Sequence, residues 1–268
     1  MAGVASPAPA GAGPPLLSLR FAGELRQLLT TAHQAGAVRV PYRGASIKDV
    51  IEACGVPHPE VGAIVAAGRE VDFGHRPAAG EMIEVLPIIP PLDVTKPSQL
   101  RPEPLAGPYF VVDINVAKLG RWLRMLGFDA LIPANHDDAF LAATAAAGRI
   151  LLTRDRRLLK RRQVVFGRLV RHGDPTAQLR EVISFYGLGG QERPFTRCLR
   201  CNAKLEPVAK EEILPRLEPL TRKYYSRFKH CPSCDQVYWA GSHRQKMEGL
   251  ITAVLASPGF AVDTHPDN

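Results

Sequence analysis

The sequence predicts a multi-module α/β protein, and three observations predict it. Residues 109–155 alternate short apolar runs with amphipathic stretches in the order βαβαβ, which implies a parallel sheet with right-handed crossovers and flanking helices. Residues 16–90 carry a separate, compact α+β pattern. Two C-x-x-C pairs, Cys198/Cys201 and Cys231/Cys234, close the C-terminal third and predict a zinc ribbon. The expected organisation is a tail over 1–15, an α+β domain over 16–90 and a proline-rich linker over 91–107. The sheet domain follows over 108–190, then the ribbon over 191–250 and a second tail over 251–268.

Residues 1–15 are rich in alanine, proline and glycine and hold too little apolar surface to order themselves. The α+β domain opens on a strand at Leu17–Phe21, continues through a helix-like stretch, and returns in a strand around Val38–Val40. Ser46-Ile-Lys-Asp49 reads as a helix start, the serine hydroxyl capping backbone N–H groups and Asp49 favoured in the first turn. That helix runs to Gly55, a good residue just past a helix end. Val61–Val71 reads as a hairpin turning at Gly68, and Met82–Leu86 as a last strand. From Pro90 to Pro108 prolines recur without a hydrophobic period, which suits a semi-rigid linker. The element order and the ending Pro77-Ala-Ala-Gly-Glu-Met-Ile-Glu-Val-Leu-Pro87 resemble the ubiquitin-like sulfur carriers of the MoaD/ThiS type, hence a β-grasp fold. Those carriers need a free terminal Gly-Gly. Here Leu86-Pro-Ile-Ile-Pro-Pro91 stands in its place and the chain continues, so sulfur transfer is not expected and a docking module is.

The sheet domain begins at Tyr109. Tyr109–Val112 is an apolar run of β-formers ending at Asp113, and a helix follows from about Val116 to Leu126, stopped by Gly127. Phe128–Ile132 reads as a strand closed by Pro133. A second helix starts near Asp137 or Asp138 and ends at Gly148, and Arg149–Thr153 is a third strand leading to Asp155. In such a sheet ligands collect outside the carboxyl ends of the strands. Asp113, the Asp137-Asp138 pair and Asp155 all lie at or just beyond such ends, with Thr153 beside the last. Clustered carboxylates favour a hard divalent cation, Mg²⁺ or Mn²⁺, which can activate water against a phosphodiester. Each acid also has a plainer use: Asp137 or Asp138 and Asp113 can cap the helices that follow them, and Asp155 can pair with neighbouring arginines.

Charge points the same way. Residues 115–172 hold twelve Lys/Arg against four Asp/Glu, which is the whole of the chain's net charge of +8. Localised positive charge favours a polyanion, most simply nucleic acid. At about 100° per residue the helix after Asp113 puts Leu119, Trp122, Leu123 and Leu126 on one side and Lys118, Arg121 and Arg124 on the other. Arg154 and Arg157 extend that basic ridge. Between the knuckles, Arg222-Lys-Tyr-Tyr-Ser-Arg-Phe-Lys-His230 interleaves cations with aromatics, suiting either base stacking or a ribbon strand with one packed face.

The knuckles sit in turn-forming company, with Asn202 and Asp235 immediately after the second cysteine of each pair. The 29 residues separating the pairs exceed the usual spacing and imply an insertion. A closed site of four thiolates is structural, leaving no position open for chemistry. The opening residues lack the basic start and apolar run of a signal peptide, and no apolar run approaches the roughly 18 residues that span a bilayer. With Cys54 alone in a helix-like segment the thiols read as reduced, so a cytoplasmic protein with no membrane partner is expected.

Asp113, Lys118-Leu-Gly-Arg121-Trp-Leu-Arg124-Met-Leu-Gly-Phe-Asp129, Leu151-Leu-Thr-Arg-Asp155, the two cysteine pairs and Tyr238-Trp-Ala-Gly-Ser-His243 together resemble the Mut-seven C-terminal RNase family. That resemblance implies a PIN-like nuclease domain fused to a zinc ribbon, with an N-terminal ubiquitin-like module in bacterial members. It implies a metal-dependent ribonuclease in which Asp113 and Asp155 match the first and last acidic positions and Thr153 the hydroxyl beside the last. The middle acid stays open between Asp137 and Asp138. RNA, expected to be single-stranded, would meet Lys118, Arg121, Arg124, Arg154 and Arg157, while His243 reads as a structural hydrogen-bonding residue near Trp239, with a ligand or proton donor as the alternative. The rival expectation is a non-catalytic RNA-binding adaptor with a protein-docking ubiquitin-like module.

Overall fold

The structure, a computed structural model, describes residues 15–30, 33, 37–241, 249 and 251. The chain divides into two compact units, one of residues 1–88 with 98–102 and one of residues 89–97 with 103–268. The proline-rich stretch is thereby shared. Arg101, 3% exposed, belongs to the first unit and donates to the carbonyls of Val61 (3.0 Å) and Pro59 (2.8 Å). Leu92 belongs to the second and donates its N–H to the Phe185 carbonyl (2.8 Å).

The first unit is a five-stranded β-grasp sheet. β1 (Leu16–Phe21) pairs antiparallel with β2 (Ala37–Pro41), and a 3₁₀ turn at Gly23–Leu28 stands where the sequence suggested a helix-like stretch. α1 (Ile47–Ala53) begins as expected, with the Ser46 hydroxyl accepting the Asp49 N–H at 3.3 Å. β3 (Val61–Ala66) and β4 (Arg69–Glu70) form the hairpin through Ala67 and Gly68, both at positive φ. β5 (Met82–Pro87) lies between β1 and β3, giving the order β2-β1-β5-β3-β4. Leu17, Leu19, Phe21, Ile47, Ile51, Ile64, Ile83 and Val85 form its core, each at most 1% exposed.

The second unit is built on four parallel strands. β6 (Phe110–Val112) is flanked by β7 (Ala130–Leu131) and β8 (Ile150–Thr153), and β9 (Gly167–Leu169) extends the sheet beyond β8. The order is β7-β6-β8-β9. The apolar residues of β6 and β8 are fully buried, as expected of parallel strands covered on both faces. α2 (Ala117–Met125) lies close against the sheet because a side chain on Gly120 would strike Ile132 and Val112. α3 (Asp138–Ala146) links β7 to β8, and α4 (Arg156–Leu159) follows β8. α5 (Pro175–Phe185) starts at Asp174, whose carboxylate caps the Ala177 N–H at 2.9 Å.

β9 was not legible as a strand because Arg168 interrupts its apolar run. The guanidinium is nonetheless buried, 3.1 Å from the Glu181 carboxylate of α5 and over the Phe185 ring. Beyond α5 a small three-stranded sheet, order β10-β11-β12, carries the second knuckle: β10 (Glu206–Val208), then α6 (Lys210–Ile213) and α7 (Pro219–Tyr224), then β11 (Phe228–His230) and β12 (Val237–Trp239). The two short helices are the insertion that lengthened the gap between the cysteine pairs. Ile213, Leu217, Phe228 and Val237 form its core. Among the described residues no helix is long and apolar enough to cross a membrane.

Candidate functional site

The carboxyl ends of β6 and β8 meet in one hydrogen-bonded cluster. Asp113 follows β6 and is 7% exposed; Thr153 ends β8 and is fully buried. The Thr153 hydroxyl donates to Asp113 Oδ2 at 2.6 Å and accepts the Asp155 N–H at 2.9 Å. Asn115, two residues past Asp113, donates from Nδ2 to the same Oδ2 at 2.6 Å and accepts the Arg154 N–H on Oδ1 at 3.2 Å. Both bonds to Asp113 fall on one oxygen. Asp113 Oδ1 has no hydrogen-bond partner and no cation pairs with this carboxylate among the described residues. A carboxylate so nearly buried without a counter-ion is costly unless something else neutralises it.

The other acids differ. Asp155 Oδ1 caps α4, accepting the N–H groups of Arg157 (2.7 Å) and Leu158 (3.3 Å). Asp137 caps α3 through the Ala139 N–H at 2.6 Å, the plain helix-start role. Asp138 lies 3.4 Å from Arg161 Nη2. Among the described residues the only group of three or more potential ligands with atoms within 4.8 Å is the cysteine cluster, so the four acids are not gathered at ligand distance. Carboxylate oxygens suit Mg²⁺ or Mn²⁺, and Mg²⁺ is commonly held by one or two carboxylates with water and phosphate oxygens completing the shell. Asp113 offers one unpartnered carboxylate oxygen of that kind, and no cage of three acids is preformed among the described residues.

The basic ridge is split. Lys118 and Arg121 are exposed on α2, and Arg157 is exposed on α4. Arg154 is exposed and donates to the His172 carbonyl at 2.6 Å. Arg124 departs from expectation: it is 2% exposed and cannot offer its guanidinium to a polyanion. It donates from Nε to the Ala130 carbonyl (2.7 Å) and from Nη1 to the carbonyls of Leu199 (3.0 Å) and Arg200 (2.9 Å). Burial pushes its pKa down, opposed by the nearby Cys198 and Cys201 sulfurs. The helical period separated the exposed Lys118 and Arg121 from the buried stripe, but Arg124, one turn after Gly120, lies on the side of α2 that meets β7, where the first knuckle encloses it.

The four cysteine sulfurs all lie within 4.8 Å of one another, with Cys198–Cys234 at 3.5 Å and Cys201–Cys231 at 3.3 Å. Sulfurs around a tetrahedral zinc are about 3.8 Å apart for Zn–S bonds of about 2.3 Å, so the set fits such an ion. The knuckles are near copies. The residue after each second cysteine adopts positive φ (Asn202 +75°, Asp235 +58°), and its N–H donates to the carbonyl of the first cysteine at 2.9 Å. Asn and Asp tolerate that conformation best after glycine. Burial would raise the Cys198 thiol, but the Tyr238 hydroxyl and two backbone N–H groups outweigh it and bring it down to about 6. Burial pushes Cys201 up to about 12, a cost that an ion binding the thiolate removes.

The first knuckle is clamped to the parallel sheet. Asn202 accepts the Ala130 N–H (3.1 Å) and donates to Asp129 (2.9 Å), while Arg197 pairs with Asp129 at 3.2 Å and donates to the Gly127 carbonyl at 3.1 Å. Gly127, at φ +93°, packs so closely under the Arg193 carbonyl that no side chain fits. Of the basic-aromatic segment, Phe228 is buried and Tyr224 is 66% exposed with Lys223 over its ring, so it serves partly as core and partly as surface. His243 lies outside the described residues. Asn115 and the Arg124–Asn202–Asp129 clamp were missed. An Asp-x-Asn spacing beside a strand end was the available signal for Asn115; the clamp joins residues some seventy positions apart.

Two family models match the chain: the Mut7-C RNAse domain over residues 108–251 and the Mut7-C ubiquitin domain over residues 15–93. The chain matches no curated protein and no solved structure.

Proposed function

Since the chain belongs to the Mut7-C RNAse domain family, we propose that it is a metal-dependent ribonuclease whose reaction centre is the carboxyl edge of β6 and β8. The observation that carries this reading is Asp113: a carboxylate 7% exposed, fixed by Thr153 and Asn115 through one oxygen, with the other oxygen unpartnered among the described residues. Asp113 and Asp155 would hold Mg²⁺ or Mn²⁺, and the middle acid would be one of Asp137, which caps α3, and Asp138, 3.4 Å from Arg161. Such an ion, when bound, would supply an activated water and neutralise charge on the phosphodiester. Thr153 and Asn115 keep Asp113 in one rotamer. Lys118, Arg121, Arg154 and Arg157 draw the RNA backbone to the edge and set its register through phosphate contacts. Unpaired RNA suits the exposed Tyr224 and its neighbouring cations, since every base offers a face to stack. The zinc site holds the ribbon, and the ubiquitin-like module, lacking a free Gly-Gly end, docks a protein partner.

The adaptor reading keeps one support, the absence of three gathered acids among the described residues. Cleavage of labelled single-stranded RNA in Mn²⁺ separates the two, using the wild type beside Asp113→Asn and Asp155→Asn. Metal-dependent cleavage lost in both variants with RNA binding retained supports the nuclease. Tight binding without cleavage in all three supports the adaptor.

A further inference from the structure

Arg124 is the one candidate RNA contact whose side chain is enclosed, and what encloses it is the zinc knuckle. Leu199 and Arg200, whose carbonyls it holds, are the two residues between Cys198 and Cys201. Its third bond, to Ala130, reaches the first residue of β7. One planar fork therefore joins the last turn of α2, the start of β7 and the turn that presents two thiolates. A lysine also has three donors, but all on one nitrogen, and it cannot reach β7 and the knuckle from two nitrogens of one rigid plane.

We propose that Arg124 is a positioning residue that couples occupancy of the four-thiolate site to the order of α2 and β7. The knuckle carbonyls face the guanidinium only while the Cys198–Cys201 turn is closed. When the turn opens, a buried cation loses two acceptors, which costs more than the bonds themselves contribute. α2 must then rearrange at its C-terminal turn, and α2 starts four residues after Asp113. Coupling of this kind is reciprocal: what zinc does for α2, Arg124 does for zinc. The inference stands whether or not the chain cuts RNA.

The test uses the full chain with zinc bound and needs no RNA. Zinc transfer to a colorimetric chelator is measured for the wild type, Arg124→Lys and Arg124→Met, and hydrogen exchange is followed over residues 117–131 with zinc bound and after stripping. Both variants should surrender zinc roughly ten- to a hundredfold more readily, the usual penalty for removing a residue that supports a metal's ligands. Exchange over 117–131 should rise in the wild type on stripping and should already be raised in zinc-loaded Arg124→Lys. Should Arg124→Met fail to fold, the lysine variant and the stripped wild type still decide. Zinc retention within twofold of wild type in folded Arg124→Lys would overturn the proposal, as would exchange over 117–131 indifferent to zinc.

Discussion

Asp113 and Asp129 are two largely buried aspartates of the same sheet unit, and their surroundings are opposite. Asp129 is ringed by donors: Arg149 at 2.7 Å, Asn202 at 2.9 Å and Arg197 at 3.2 Å. Burial would raise its carboxyl, but those hydrogen bonds and charges outweigh it and hold the pKa below the usual range. Asp113 has a hydroxyl and an amide on one oxygen and no cation among the described residues. A buried charge whose partners are complete is architecture; one left incomplete at the carboxyl edge of a parallel sheet is what the proposed reaction centre requires.

Substitution by asparagine separates the two most sharply. Asp113→Asn should cut Mn²⁺-dependent RNA cleavage by on the order of 10²–10³-fold or more, while the thermal midpoint holds or rises, because an uncompensated buried charge is gone. A large fall in stability with cleavage preserved would make Asp113 architectural too.

Asp129→Asn should do the reverse, costing about 2–3 kcal/mol of unfolding free energy and lowering zinc retention, with RNA binding by the folded protein unchanged. The effect has a pH signature. A carboxyl depressed in the folded state contributes fully above its unfolded value, near 3.9, and that contribution is lost as pH falls through the folded pKa. The gap between wild type and variant in denaturant titrations should thus be constant at neutral pH and close below about pH 4.

Asp155 caps α4 and, on the proposed reading, also holds the ion, and two substitutions take these roles apart. Alanine removes the α4 cap at a cost of about 1 kcal/mol, whereas asparagine, an equally good cap, should cost little. Cleavage should fall in both. Retained cleavage in the asparagine variant alone would leave Asp155 as a cap and nothing more.

The sequence made the local elements plain where one period or one cap governs them. Ser46 started α1, Gly127 ended α2, and alternation placed the strand ends before Asp113 and Asp155, whereas the Asp137-Asp138 pair stands beyond a loop after β7, at the start of α3. What escaped was set by distant partners. β9 hides because Arg168 looks like a surface residue until Glu181 of α5 neutralises it. Arg124 looks like the ridge because the period groups it with Lys118 and Arg121, whereas its bonds to β7 and to the knuckle depend on partners that the helical period does not report. The cysteine pairs were legible because chelation demands short spacing, whereas carboxylates at strand ends share no local spacing rule.

The smallest effect tests the ridge itself. Arg121 lies one turn before Arg124 on α2, is exposed and has no ion pair among the described residues. Arg121→Gln should shift stability by no more than about 0.5 kcal/mol and weaken RNA binding modestly and without regard to sequence. The slope of log K against log salt should shrink by about one, the mark of a single phosphate contact removed. Equal slopes for the wild type and Arg121→Gln would move the RNA path off α2 toward Arg154 and Arg157.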